Sequence, residues 1–108
     1  METKDIIKHI DHTQLKAFCT WNDIDKLCGE AIKYGAASVC IPPSYIKRVH
    51  DKYGDKINIC TVVGFPLGYS VTAAKVAETR QAIEDGAKEI DMVINIGDVK
   101  NGDFGKVE

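Results

Sequence analysis

Apolar residues along the chain alternate between short runs and helical stripes. Lys8 to Leu15 (KHIDHTQL) predicts a first strand. Thr20 then fits an N-cap, with Asp23 placing a carboxylate in the first turn that follows. Ile24, Leu27, Cys28, Ala31 and Ile32 recur at helical spacing until Gly35, a stop signal. Ala37 to Ile41 (ASVCI) is a short, nearly continuous apolar run, suited to a strand covered on both faces. Pro42-Pro43 ends it, and Ser44 is placed to cap a helix carrying Ile46, Val49 and Tyr53 and closed by Gly54. Ile57 to Val63 (INICTVV) predicts a third strand, followed by the turn-like GFPLG of Gly64 to Gly68. Thr72 opens a third helix with Val76, Thr79, Ala82 and Ile83 on one stripe and Gly86 as its stop. Glu89 to Ile96 (EIDMVINI) predicts the fourth strand, and a loop containing Gly97, Asn101, Gly102 and Gly105 follows.

The order β-α-β-α-β-α-β predicts a parallel sheet built from right-handed crossovers. Strands starting near Ile10, Ala37, Ile57 and Ile90 are on average about 27 residues apart, so eight would need about 215, the usual size of a (β/α)8 barrel. The 108 residues therefore fit about four of eight βα units, a half-barrel. A flavodoxin-like open sheet is the competing architecture, and it would place a phosphate-binding loop after its first strand, usually a glycine-rich one. Lys16 to Asn22 (KAFCTWN) has no glycine, and neither G-x-G-x-x-G nor G-x-x-x-x-G-K-[ST] occurs. No linker or low-complexity tract divides residues 1–108, which are expected to form one unit.

Composition narrows the function classes. Hydrophobic residues make up 44% and charged residues 28%, so the chain is not of the disordered type. Fourteen basic residues against sixteen acidic ones give a net charge of −2, which offers no footprint for nucleic acid or a membrane surface. No apolar run approaches the ~20 residues of a transmembrane helix, and METKDIIKHI lacks a signal-peptide core. Cys19, Cys28, Cys40 and Cys60 form no C-x-x-C pair, and free thiols of a cytoplasmic protein are expected.

The strand faces carry the chemistry, because alternate residues share a face. In the fourth strand Ile90, Met92, Ile94 and Ile96 suit a helix-covered face, while Glu89, Asp91, Val93 and Asn95 face the other way. His9, Asp11 and Thr13 share one side of the first strand, and Ser38 and Cys40 one side of the second. In a barrel such polar sets gather on the inner wall, where Ile59, Val63 and Val93 are also expected. A carboxylate there is unfavourable unless paired or used. The polar groups could satisfy one another, which is the competing reading for Asp11 and Thr13 especially. His9 and His12, three apart on a strand, point to opposite faces and make no metal pair.

Four blocks in order, IDHTQLK (Ile10 to Lys16), ASVCIPPSY (Ala37 to Tyr45), CTVVGFPLG (Cys60 to Gly68) and KVAETRQAIEDGAKEIDMVINIG (Lys75 to Gly97), closely resemble the deoxyribose-phosphate aldolase family. The resemblance implies a (β/α)8 barrel that reversibly splits 2-deoxyribose 5-phosphate into glyceraldehyde 3-phosphate and acetaldehyde. It implies class I chemistry, in which a lysine forms a Schiff base and no metal or other cofactor is needed, and a role in deoxyribonucleotide catabolism. Asp91 resembles the family's aspartate that relays protons with a neighbouring lysine. Asp11 and Thr13 are similar to polar residues of the pocket wall, Cys40 to a cysteine beside the substrate, and Phe65 to a ring lining the pocket. Cys40 reads as wall rather than nucleophile, since no cationic partner for its thiolate can be named.

A Schiff-base lysine needs a desolvated pocket that depresses its pKa. No lysine falls inside the strands predicted here, apart from Lys8 at the very start of the first; Lys16 lies just past that strand, and Lys75 and Lys88 on or beside a helix. In the family that lysine and its partner belong to later strands, so the chain is expected to carry the acid without the nucleophile and to be inactive alone. The second function class is a non-catalytic half-barrel that associates with itself. Expected partners are thus a sugar phosphate and further copies of the chain, as a homodimer or a higher homo-oligomer.

Overall fold

The computed structural model describes residues 2–108. A short helix α1 (Thr3–Ile7) leads into β1 (Asp11–Thr13), α2 (Trp21–Tyr34), β2 (Ser38–Ile41), α3 (Ile46–Tyr53), β3 (Ile59–Val63), α4 (Thr72–Asp85), β4 (Glu89–Met92), α5 (Ile96–Lys100) and α6 (Phe104–Val107). The strands form one parallel sheet in the order β1-β2-β3-β4.

Two features separate this sheet from a doubly wound one. Its strand order never reverses, so it has no switch point. Its helices also lie on one face: Ile24, Leu27 and Cys28 of α2, Ile46 and Val49 of α3 and Ala82 of α4 share one core with Val39, Ile41 and Ile59. The opposite face carries the separate cluster Cys40, Cys60 and Val62, against which Leu15 packs. A parallel sheet covered by helices on one side only is a half-barrel of the TIM type, and the open face is its inner wall.

Local signals explain most boundaries. Thr20 accepts from the Asp23 N–H and Asp23 accepts from the Thr20 N–H, a reciprocal capping box that starts α2. Gly35 ends it at φ 72°, a left-handed conformation that suits glycine. Thr61 is buried in β3, and its hydroxyl donates to the Ile41 carbonyl at 2.7 Å.

The boundaries that differ have equally local causes. The first strand is shorter than Lys8 to Leu15, because the Lys8, His9 and Ile10 N–H groups already donate to Lys4, Ile6 and Ile7 carbonyls at the end of α1. Ser44 caps nothing; Pro43–Tyr45 forms a 3-10 turn and α3 starts at Ile46. The fourth strand ends at Met92 rather than Ile96, because the Asn95 side chain accepts from the Asp98 N–H and turns the chain into α5. The expected C-terminal loop contains α5 and α6. Against expectation, Ile59 packs in the helix-side core and Val63, 0% exposed, shares its face by alternation, so the inner wall of β3 is Cys60 and Val62.

The stripe on α4 is only partly used. Ala82 is buried, while Val76 and Ile83 stay exposed beside Met92 of β4 and Ile94 just beyond it. Together they line a groove of about 910 Å³ between α4 and the C-terminal helices.

Candidate active site

The inner wall is built in steps across the strands. Asp11 stands opposite Ser38, Thr13 opposite Cys40, Cys40 opposite Cys60, and Val62 opposite Asp91. Polar positions thus run diagonally from the start of β1 to the end of β4.

Each polar group has a partner. Ser38, 2% exposed, donates to the Asp11 carboxylate at 2.6 Å, which fixes that side chain against the wall. The Thr13 hydroxyl donates to the Asp11 carbonyl at 2.8 Å. The Cys60 thiol donates to Asp91 Oδ2 at 3.5 Å. The Cys40 and Cys60 sulfurs and an Asp91 oxygen all lie within 4.8 Å of one another, the cluster of the described residues with metal-ligand chemistry. Asp91 itself is exposed, available to a molecule entering the wall.

Neither thiol is an activated nucleophile. Burial pushes the Cys60 thiol far up, with Cys40 and Asp91 adding to the effect. Burial likewise raises Cys40; Cys60 offsets part of this, and the charges of Asp91, Asp11 and Glu89 raise it further. Both are neutral wall groups in an acid-lined surface, the opposite of the electropositive setting a thiolate needs.

The structure joins Cys40 and Asp91 in one cluster and sets Asp11 and Thr13 on the same wall. Phe65 stands apart, 47% exposed, in a cleft of about 130 Å³ with Leu15, Pro42, Pro43, Val62 and Glu78. Apart from Glu78 of α4, these residues follow or end the first three strands, so the cleft opens at the C-terminal mouth, where barrels of this type place their sites.

The loop carrying Phe65 is braced by residues the sequence did not flag. Glu78 accepts from the Gly64 N–H at 2.8 Å. Lys75 Nζ donates to the Gly68 carbonyl at 2.7 Å and the Val93 carbonyl at 2.8 Å, tying the loop to the end of β4. Lys75 is therefore engaged as a cationic donor. Cys60 was also missed, because ICTVV is apolar on both faces and alternation alone cannot give its phase; only pairing with Cys40 does. No lysine lies in any of the four strands.

Comparison with known proteins gives a consistent picture. Residues 5–104 match the pattern described as DeoC/LacD family aldolase. A curated relative from Clostridium botulinum (strain Alaska E43 / Type E3), named deoxyribose-phosphate aldolase, is 64% identical over 107 residues, 99% of this chain and 48% of its own length. A solved structure from Coccidioides immitis, provisionally described as the same aldolase, superposes with a TM-score of 0.93 at 38% identity over 99% of this chain and 43% of its own. Another, from Aeropyrum pernix and described as a tetrameric deoxyribose phosphate aldolase, gives 0.83 at 30% identity over 87% and 41%. The chain spans about half the length of the curated relatives it matches.

Proposed function

The chain belongs to the DeoC/LacD family of aldolases, and from that premise we propose that it is the acid-bearing half of a deoxyribose-phosphate aldolase. The observation that carries the reading is the exposed Asp91 carboxylate on the inner wall, set beside Cys40 and Cys60, with Thr13 opposite Cys40 and Asp11 further along the same wall. The substrate is the open-chain form of 2-deoxyribose 5-phosphate, cleaved to glyceraldehyde 3-phosphate and acetaldehyde.

In Schiff-base chemistry an amine condenses with the C1 aldehyde and water leaves. A base then takes the C3 hydroxyl proton, and the C2–C3 bond breaks to release glyceraldehyde 3-phosphate; its electron pair forms the C1–C2 double bond as the iminium π pair moves onto nitrogen, leaving an enamine. Protonation at C2 and hydrolysis release acetaldehyde and the amine. Asp91 moves protons in these steps. Asp11, Thr13 and Cys40 form the wall against which the sugar lies, and Phe65 covers it at the mouth. The amine is supplied from outside these residues, since the strands hold no lysine and Lys75 is tied to two carbonyls. The chain alone is thus inactive.

The test is turnover in a barrel completed with the remaining half of the Clostridium botulinum relative. Asp91→Asn should lower kcat by about 10²–10⁴-fold, the scale of positioned acid–base catalysis. Near-normal turnover would reduce Asp91 to a structural acid.

A second reading rests on the edges. β1 and β4 each pair on one side only, and the groove beside β4 exposes Val76, Ile83, Met92 and Ile94. Two copies related by a two-fold axis would pair β4 of one with β1 of the other and close eight strands. On that reading the chain is a self-associating module.

A further inference from the structure

The thiol–thiol–carboxylate cluster of the inner wall can hold more than a substrate. Cys40 and Cys60 are direct partners on neighbouring strands, so their side chains project from one face at one level. Asp91, one strand further on, brings its Oδ2 to 3.5 Å from the Cys60 sulfur. All three donor atoms fall within 4.8 Å of one another. Around a tetrahedral zinc ion, with Zn–S bonds of about 2.3 Å and Zn–O bonds of about 2.0–2.2 Å, donors lie about 3.5–3.8 Å apart. The cluster is therefore within a small side-chain adjustment of one face of a tetrahedron. The fourth position opens on the exposed side of Asp91, where water can complete the set.

Charge and donor type point the same way. The ionised groups acting on Cys40 are Asp91, Asp11 and Glu89, all acids, so the wall offers a cation a negative field. Two sulfur donors select a thiophilic ion over magnesium or calcium, which prefer oxygen.

We propose that Cys40, Cys60 and Asp91 form a binding site for a single thiophilic divalent cation of the zinc class. As the two metal–sulfur bonds form, the two thiol protons pass to solvent. The ion occupies the Asp91 carboxylate and removes it from proton transfer, so the site is inhibitory rather than catalytic. The binding rests on the geometry of the wall alone; only its inhibitory consequence rests on the aldolase reading. Its test therefore reads binding, with no substrate present.

Cadmium chloride is titrated into the purified chain and followed by the ultraviolet absorption of cadmium–thiolate bonds, with zinc as competitor. One equivalent should bind, and zinc should displace it. Cys40→Ala and Cys60→Ala should each abolish the signal, while Cys19→Ala and Cys28→Ala should leave it unchanged. Asp91→Asn, at an exposed position where folding is not at stake, should weaken binding by about ten- to a hundredfold, the scale even of supporting partners at metal sites. A missing signal in the parent chain, a signal that survives Cys40→Ala, or an unchanged affinity in Asp91→Asn would each overturn the proposal.

Discussion

Replacing Lys75 by methionine separates a brace from a nucleophile. Lys75 is partly buried on α4, and its ammonium donates to the Gly68 and Val93 carbonyls at 2.7 and 2.8 Å. Hydrogen bonds to a charged partner contribute about 1.5–3 kcal/mol each in buried settings. Methionine keeps most of the stem packing, and water reaches part of the vacated site. The net loss is thus about 2–3 kcal/mol, well below the sum for two fully buried bonds. With a urea slope of about 1–3 kcal/mol per molar, the unfolding midpoint should fall by about 0.7–3 M. Lys47→Met is the control, because its ion pair with Asp51 is 3.8 Å long and exposed, and it should move stability by less than about 0.5 kcal/mol. Urea unfolding followed by circular dichroism gives both values, and limited proteolysis should cut Lys75→Met first within Gly64 to Gly68. A Lys75→Met midpoint indistinguishable from that of Lys47→Met would refute the bracing role.

Three further outcomes follow from the same geometry. Gly68→Ala should destabilise by at least about 2 kcal/mol in urea, because φ there is 77° and a Cβ would stand 2.1 Å from the Ile94 carbonyl oxygen; a parent-like midpoint would contradict this. The hydrogen bond from Lys52, then that from Tyr53, holds Asp25 below its ordinary value of 3.8, so its stabilisation is present above that value and lost as pH falls through the lower folded one. The stability gap between parent and Asp25→Asn should therefore shrink on acidification below pH 3.8, and a constant gap would refute the linkage. If the open edges are covered by a second copy, equilibrium sedimentation should show twice the 11.9 kDa chain mass, whereas a stable monomer at micromolar concentration would exclude the dimer.

The alternation of strands and helices was legible because α2, α3 and α4 each carry a start or stop signal: Thr20, Gly35, Gly54 and Gly86 sit where the backbone needs them. The face of β4 was legible too, since Glu89 and Asp91 alternate with Ile90 and Met92. The face of β3 was not, because its phase is set by pairing with β2 rather than by its own pattern, and that concealed Cys60. The ends of β1 and β4 were hidden for a similar reason. KHI and VINI read as strand by composition, but α1 and the Asn95 cap decide their backbone. Of the site, the family-like residues could be named from the sequence. The Lys75 and Glu78 braces could not, since a charged residue on a helix gives no sign of the carbonyl or N–H it will meet.

Under the proposed function, this wall carries the acid of an aldolase while the amine lies elsewhere. Borohydride trapping with 2-deoxyribose 5-phosphate, read by peptide mass spectrometry, addresses it directly. The chain should be mixed with the remaining half of the Clostridium botulinum relative, and also incubated alone. No site-specific adduct is expected on any lysine of this chain under either condition, and a single reduced adduct on the complementing half. A clean, stoichiometric adduct on Lys75 or any other lysine of this chain would contradict it.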